Sequence, residues 1–192
     1  TPPYTLRMKA SSFDPGRLDV TAFARAQGTL QGTTPLARLT RLAASTVTLA
    51  DGVADAVRWS VTGVWTDRPG RAAEVRLHLV ARAQVWLECQ RCLQPMAHGL
   101  EVDGRFRFVA GEDEAARLDE ESEEDVLALP RALKLDDLIE DELILALPIV
   151  PVHDTCPQPL SFSGEADTDL PALDPAPPDH PFAALAGFKS GK

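Results

Sequence analysis

Through the middle of the chain apolar and polar residues alternate. Val57, Trp59, Val61 and Trp65 recur at period two in VRWSVTGVW, and Val75, Leu77, Leu79, Ala81 and Ala83 do so in EVRLHLVARA. An extended strand sends successive side chains to opposite faces, so this rhythm makes one buried surface per strand. Between the two runs, TDRPGR carries the Pro-Gly signal of a hairpin connection. Val102, Gly104, Phe106 and Phe108 continue the alternation after the lead-in LQPMAHG. These stretches predict an antiparallel sheet of about four strands with one face covered by helices.

Helical spacing appears on either side of this region. Asp19 caps a brief helix through Val20, Phe23 and Ala24 that ends at Gly28, a natural left-handed residue. Thr34 as cap and Pro35 at the first helical position introduce LARLTRLAA, where Leu36, Leu39 and Ala43 share a face and Arg38 and Arg41 point elsewhere. Later, Asp137 followed by Glu140 resembles a capping box, and Leu138, Ile139, Leu143, Ala146 and Leu147 form a stripe before Pro148. Asp136, Asp137, Glu140, Asp141 and Glu142 crowd that helix, where early carboxylates suit the positive end of its dipole. Paired carboxylates holding Mg²⁺ or acting as acid and base would need a nearby histidine or phosphate-cradling glycine loop, and neither is there. The expected fold is α+β, an antiparallel β-sheet flanked by short helices, with an acidic disordered insert and a flexible C-terminal tail.

The insert is placed at 111–130, where GEDEAARLDEESEED shows no apolar stripe and reads as a mobile connection able to screen basic groups in cis. The folded domain is expected to cover 1–156. Residues 157–192, rich in Pro, Asp and small residues, read as mostly disordered, ending in a short amphipathic helix with Phe182, Leu185 and Phe188. No stretch approaches the roughly 20 apolar residues of a membrane span, and TPPYTLRMKASSF lacks an apolar signal region. A soluble, cytoplasmic protein is expected, and the opening Thr1 implies numbering that begins after processing or trimming.

Charge adds an asymmetry. The net charge of −10 divides into +5 over residues 1–110 and −15 over residues 111–192. Opposite signs suggest a basic face for nucleic acid and an acidic part that folds back on it or recruits a basic partner, beside the plainer reading of simple solubility. Arg58, Arg76, Arg82, Arg105 and Arg107 all alternate out of phase with the apolar strand positions and so share the other face of the sheet. With Arg91 they are the candidate RNA-binding residues. An arginine-lined sheet suits phosphate backbones more than base reading, although a solvated polar face explains each arginine singly.

All three cysteines fall in two short clusters. Cys89 and Cys92 bracket CQRC, and His153 and Cys156 repeat the three-residue offset in VPVHDTC. Two pairs of soft ligands at that spacing complete a tetrahedron around zinc, which makes Cys89, Cys92, His153 and Cys156 a candidate Cys3His structural site. A thioredoxin-like redox pair would require a helix opening after a strand in a βαβ unit, which the pattern does not offer here, and three unrelated thiols are the plain alternative. A metal-dependent hydrolase acting on nucleic acid would need an open metal position, whereas four protein ligands close the site.

The combination of LECQRCLQPM, EDELILALPIVPVHDTC after an acidic gap, and HPFAALAGFK resembles the bacterial family of large ribosomal RNA subunit accumulation proteins, YceD. The resemblance runs over about residues 80–192, while the N-terminal half agrees in layout only. It implies a non-enzymatic part in synthesis, processing or stability of 23S rRNA. The implied partners are 23S rRNA or its precursor, or a basic large-subunit ribosomal protein, with no membrane involved.

Overall fold

In the computed structural model of the chain, residues 13–48, 56–67, 69–70 and 72–157 are described. Five strands form one sheet in chain order: β1 (Thr29–Pro35), β2 (Ala56–Thr66), β3 (Glu74–Glu88), β4 (Pro95–Val109) and β5 (Asp125–Ala128). The first four pair antiparallel, and β5 runs parallel to β4 beside Phe106–Val109 only. Among the described residues four α-helices accompany them: α1 (Val20–Arg25), α2 (Thr40–Ala44), α3 (Glu112–Asp119) and α4 (Leu135–Leu145). The architecture is α+β with a mixed sheet. No helix among the described residues is long and apolar enough to cross a membrane.

The period-two runs behave as the sequence predicts. Val57, Trp59 and Val61 of β2, Val75, Leu77, Leu79 and Ala81 of β3, and Val102, Phe106 and Phe108 of β4 are buried together with Phe23, Leu42, Ile139 and Leu143 from the helices. Removing those side chains from water, at about 25 cal/mol per Å² of apolar surface, is the main force holding helices to one face. Helix α1 meets the backbone of β2 tightly at Gly63. A Cβ there would lie 2.8 Å from Ala24 Cα and 2.9 Å from the Phe23 carbonyl oxygen, so α1 can cross β2 only over a residue without a side chain.

Three expectations need correction. Thr34 and Pro35 do not open a helix but end β1, whose sequence TLQGTTP is too polar to advertise a strand. The helical stretch after them divides into a 3₁₀ turn at Leu36–Arg38 and the short α2. The left-handed residue after α1 is Gln27, with φ 47°, rather than Gly28. The acidic insert contains α3 and β5, so it is not a featureless connection and the sheet is not wholly antiparallel. Two small anchors suffice: Ala115 and Val126 are buried, and the Val126 N–H donates to Asp119 Oδ1 at 2.9 Å. The expected tail helix around Phe182–Phe188 lies outside the described residues.

Candidate metal centre

β3 and β4 are joined by the turn that contains both cysteines of CQRC. The Cys89 N–H donates to the Gln94 carbonyl at 3.0 Å, and the Leu93 N–H donates back to the Cys89 carbonyl at 2.8 Å. Closing this turn puts Leu93 at φ 57°, a left-handed conformation that a branched residue adopts only when its surroundings impose it. Both thiols are thereby turned to one side, and both residues are buried.

The second pair arrives from α4. Beyond that helix Pro148 and Pro151 break regular structure, and the Gln90 N–H fixes the returning chain by donating to the Pro151 carbonyl at 2.8 Å. His153 Nδ1 then stands 3.4 Å from Cys92 Sγ, and Cys156 Sγ stands 4.0 Å from Cys89 Sγ. The ligand atoms of Cys89, Cys92, His153 and Cys156 all lie within 4.8 Å of one another. A tetrahedral zinc with bonds of about 2.3 Å to sulfur and 2.0 Å to nitrogen has edges of about 3.5–3.8 Å, so these residues fit such an ion. The three cysteines are free thiols, and the four side chains together could hold a metal.

The electrostatics agree with the geometry. Burial pushes the Cys89 thiol up, but N–H groups of His153, Arg91 and Cys92 and the His153 side chain aim at its sulfur and together bring it down to about 5. Such donors favour a thiolate, the form that ligates. Burial pushes the Cys92 thiol up, and the neighbouring Cys156 and Cys89 sulfurs add to this against an opposing Gln94 N–H. Crowded sulfurs resist ionising together unless a cation sits among them. Arg91 supplies a positive charge at the rim: its Nε donates to Cys156 Sγ at 3.0 Å and its Nη2 to the His153 carbonyl at 2.5 Å. Arg91 therefore contacts the HDTC loop, and the Cys156 sulfur holds its guanidinium above the usual range.

The other arginines lie where the alternation puts them, on the sheet face opposite the helical core, but acidic residues share that surface. Arg76 Nε reaches Glu124 at 2.7 Å and its Nη1 reaches Glu74 at 2.6 Å, with Arg107 3.8 Å from Glu74 on the other side. Arg82 faces Glu101 at 3.5 Å. Arg58 and Arg105 have no ion pair among the described residues. Glu124 belongs to the acidic insert, which thus pairs with Arg76 on that face.

A second feature was not legible in the sequence. Along the free part of β4, the segment Glu101–Arg105, together with Glu123, Glu124 and Asp125 before β5 and Glu142, Leu145 and Ala146 of α4, lines a notch of about 460 Å³. Its acids come from three separated segments, and only the crossover to β5 brings them to one edge.

Fold and corner together define a small α+β sheet protein closed at one end by a Cys3His cluster. The sequence profile of the family described as "Large ribosomal RNA subunit accumulation protein YceD" matches residues 77–189, which include both ligand pairs. The chain belongs to that family. A relative from Haemophilus influenzae, named "Large ribosomal RNA subunit accumulation protein YceD", is 38% identical over 103 residues, covering 54% of this chain and 59% of the relative. The chain thus matches about three fifths of that relative's length. No solved structure matches.

Proposed function

We propose that this chain is a non-enzymatic cytoplasmic factor in the accumulation of large-subunit ribosomal RNA, through synthesis, processing or stability of 23S rRNA. The observation that carries the reading is the family match over residues 77–189. Cys89, Cys92, His153 and Cys156 hold one structural zinc, which fastens the loop after α4 to the β3–β4 turn. Four protein ligands close the ion off, so its role is to fasten and not to activate water. Free thiols in this arrangement suit a reducing compartment. The folded domain ends where the corner closes, at Cys156.

Two routes lead to rRNA, and the ion pairs weigh in favour of one. Phosphate binding draws on unpaired cations, yet Arg76, Arg82 and Arg107 already face carboxylates. With a net charge of −10 besides, the favoured partner is a basic large-subunit ribosomal protein. The RNA route keeps Arg58 and Arg105 as its main contacts. Deleting the gene tests the reading: large-subunit rRNA should fall relative to small-subunit rRNA, and the tagged protein should co-sediment with large-subunit precursors. Normal rRNA in the deletion strain would remove it.

A further inference from the structure

The notch beside β4 is bounded on one side by a strand edge that is unpaired among the described residues. The Cys89–Gln94 hydrogen bond sets the phase of the β3–β4 ladder, so even-numbered residues of β4 face β3 and odd-numbered ones face outward. The Val109 carbonyl, which points outward to accept from the Leu129 N–H at 2.7 Å, fits this phase. Since β5 begins only opposite Phe106, the outward N–H and C=O groups of Glu101 and Asp103 meet no strand among the described residues. Natural sheets seldom leave such an edge bare unless charge guards it or a partner covers it.

The chemistry around the edge selects what can cover it. Glu101, Asp103, Glu123, Glu124, Asp125 and Glu142 surround it; Glu101, Asp103 and Glu124 face Arg82, His78 and Arg76, whereas Glu123, Asp125 and Glu142 have no ion pair among the described residues, and Arg105 is the one cation lining the notch. A second copy of the same edge would be repelled. A lysine- or arginine-rich strand would be attracted, with its backbone satisfied by Glu101 and Asp103. Glu142 stands at the inner wall, 3.6 Å from the point where a Cβ on Gly104 would be. Burial, reinforced by Asp125 and Asp141, pushes its carboxyl up, and no ion pair relieves it among the described residues. Leu145, which lines the notch, is 77% exposed and gives it an apolar lip. Main-chain pairing, acidic walls and an apolar lip together suit an extended basic peptide with interspersed aliphatic side chains.

We infer that the free edge of β4 from Glu101 to Arg105 takes up an extended basic segment of a protein partner as a further strand, in line with β5. The inference rests on the reading above that the partner is a basic protein, and it adds the surface and the mode of binding.

The test uses the full-length protein and a labelled ten-residue peptide alternating Lys with Val, followed by fluorescence anisotropy at low salt. Asp103→Pro removes an outward N–H while leaving the bonds to β3 in place, and it should weaken binding about tenfold. Asp103→Asn keeps the N–H and loses the charge, so it should weaken binding less and flatten the salt dependence. Unaltered far-UV circular dichroism of both variants shows that the sheet survives. Should the proline variant be misfolded, hydrogen exchange on the unaltered protein decides instead, since the peptide should slow the amides of Glu101 and Asp103. Equal binding by a folded Asp103→Pro variant, no exchange protection, or no binding at all overturns the inference. In cells, a deletion strain with normal rRNA would remove the functional reading. A deletion strain short of rRNA but fully rescued by a folded Asp103→Pro protein would remove only the edge.

Discussion

Glu140 shows how far one residue can depart from its local pattern. Its spacing from Asp137 suggests a capping box, yet the side chain turns away from its own helix to the start of α2, accepting from the Arg41 N–H at 2.7 Å and the Leu42 N–H at 3.2 Å. Arg41 Nε adds a third donor at 3.0 Å. The residue is only 6% exposed, so burial pushes its carboxyl up, but these donors outweigh burial and hold it below the usual carboxylate range. A depressed folded value means that the stabilisation is complete above the unfolded value and fades as pH falls through the folded one. Glu140→Ala should cost about 2–4 kcal/mol in urea unfolding at pH 7, because two N–H groups and a guanidinium lose their acceptor, and the difference should shrink below about pH 4. Glu142 has the opposite sign. Its carboxyl is raised by burial, then by Asp125 and Asp141, so its ionisation opposes folding as pH rises through the folded value. Glu142→Gln should therefore raise the thermal midpoint at pH 7 and leave it unchanged in acid. A sequence window could not assign Glu140 its role, since α2 and α4 lie about a hundred positions apart.

At the scale of elements, strands with one wet and one dry face were legible and weakly patterned ones were not. β2, β3 and β4 announced themselves because Val57 to Phe108 alternate over long runs. β1 did not, since only Thr34 among its seven residues is buried, and its hydroxyl sits there to accept from Trp59 Nε1 at 3.0 Å and donate to Asp136 Oδ1 at 3.1 Å. In α3 and β5, single anchors such as Ala115 and Val126 leave no stripe for a periodicity count to find. The crossing of α1 over β2 tests the packing directly. Gly63→Ala should destabilise the fold by about 1–3 kcal/mol, because neither the Ala24 backbone nor the Phe23 carbonyl can withdraw. For the arginine face, Arg58→Glu with Arg105→Glu should reduce any RNA retention on a filter and its salt slope more than Arg76→Glu with Arg107→Glu, since the latter pair is already matched by Glu74 and Glu124.

For the molecule as a whole, the corner makes one body of the sheet and the chain beyond α4. The clusters were legible because the offset of three repeats in CQRC and HDTC, a spacing that suits metal-ligand pairs. That they meet follows from the same spacing; how they are held together was not legible, because it depends on the β3–β4 turn, on the Gln90–Pro151 hydrogen bond and on Arg91 reaching the HDTC carbonyls. Arg91→Ala should loosen that loop and speed exchange of amides around His153, whereas Arg91→Lys, which cannot fork between sulfur and carbonyl, should rescue only in part. The most direct check on the account is native mass spectrometry of the protein purified without added metal or chelator under reducing conditions. One zinc per chain is expected, and it should be lost on Cys156→Ser. A chain that carries no metal, or one whose Cys156→Ser variant keeps its zinc undiminished, would contradict the account.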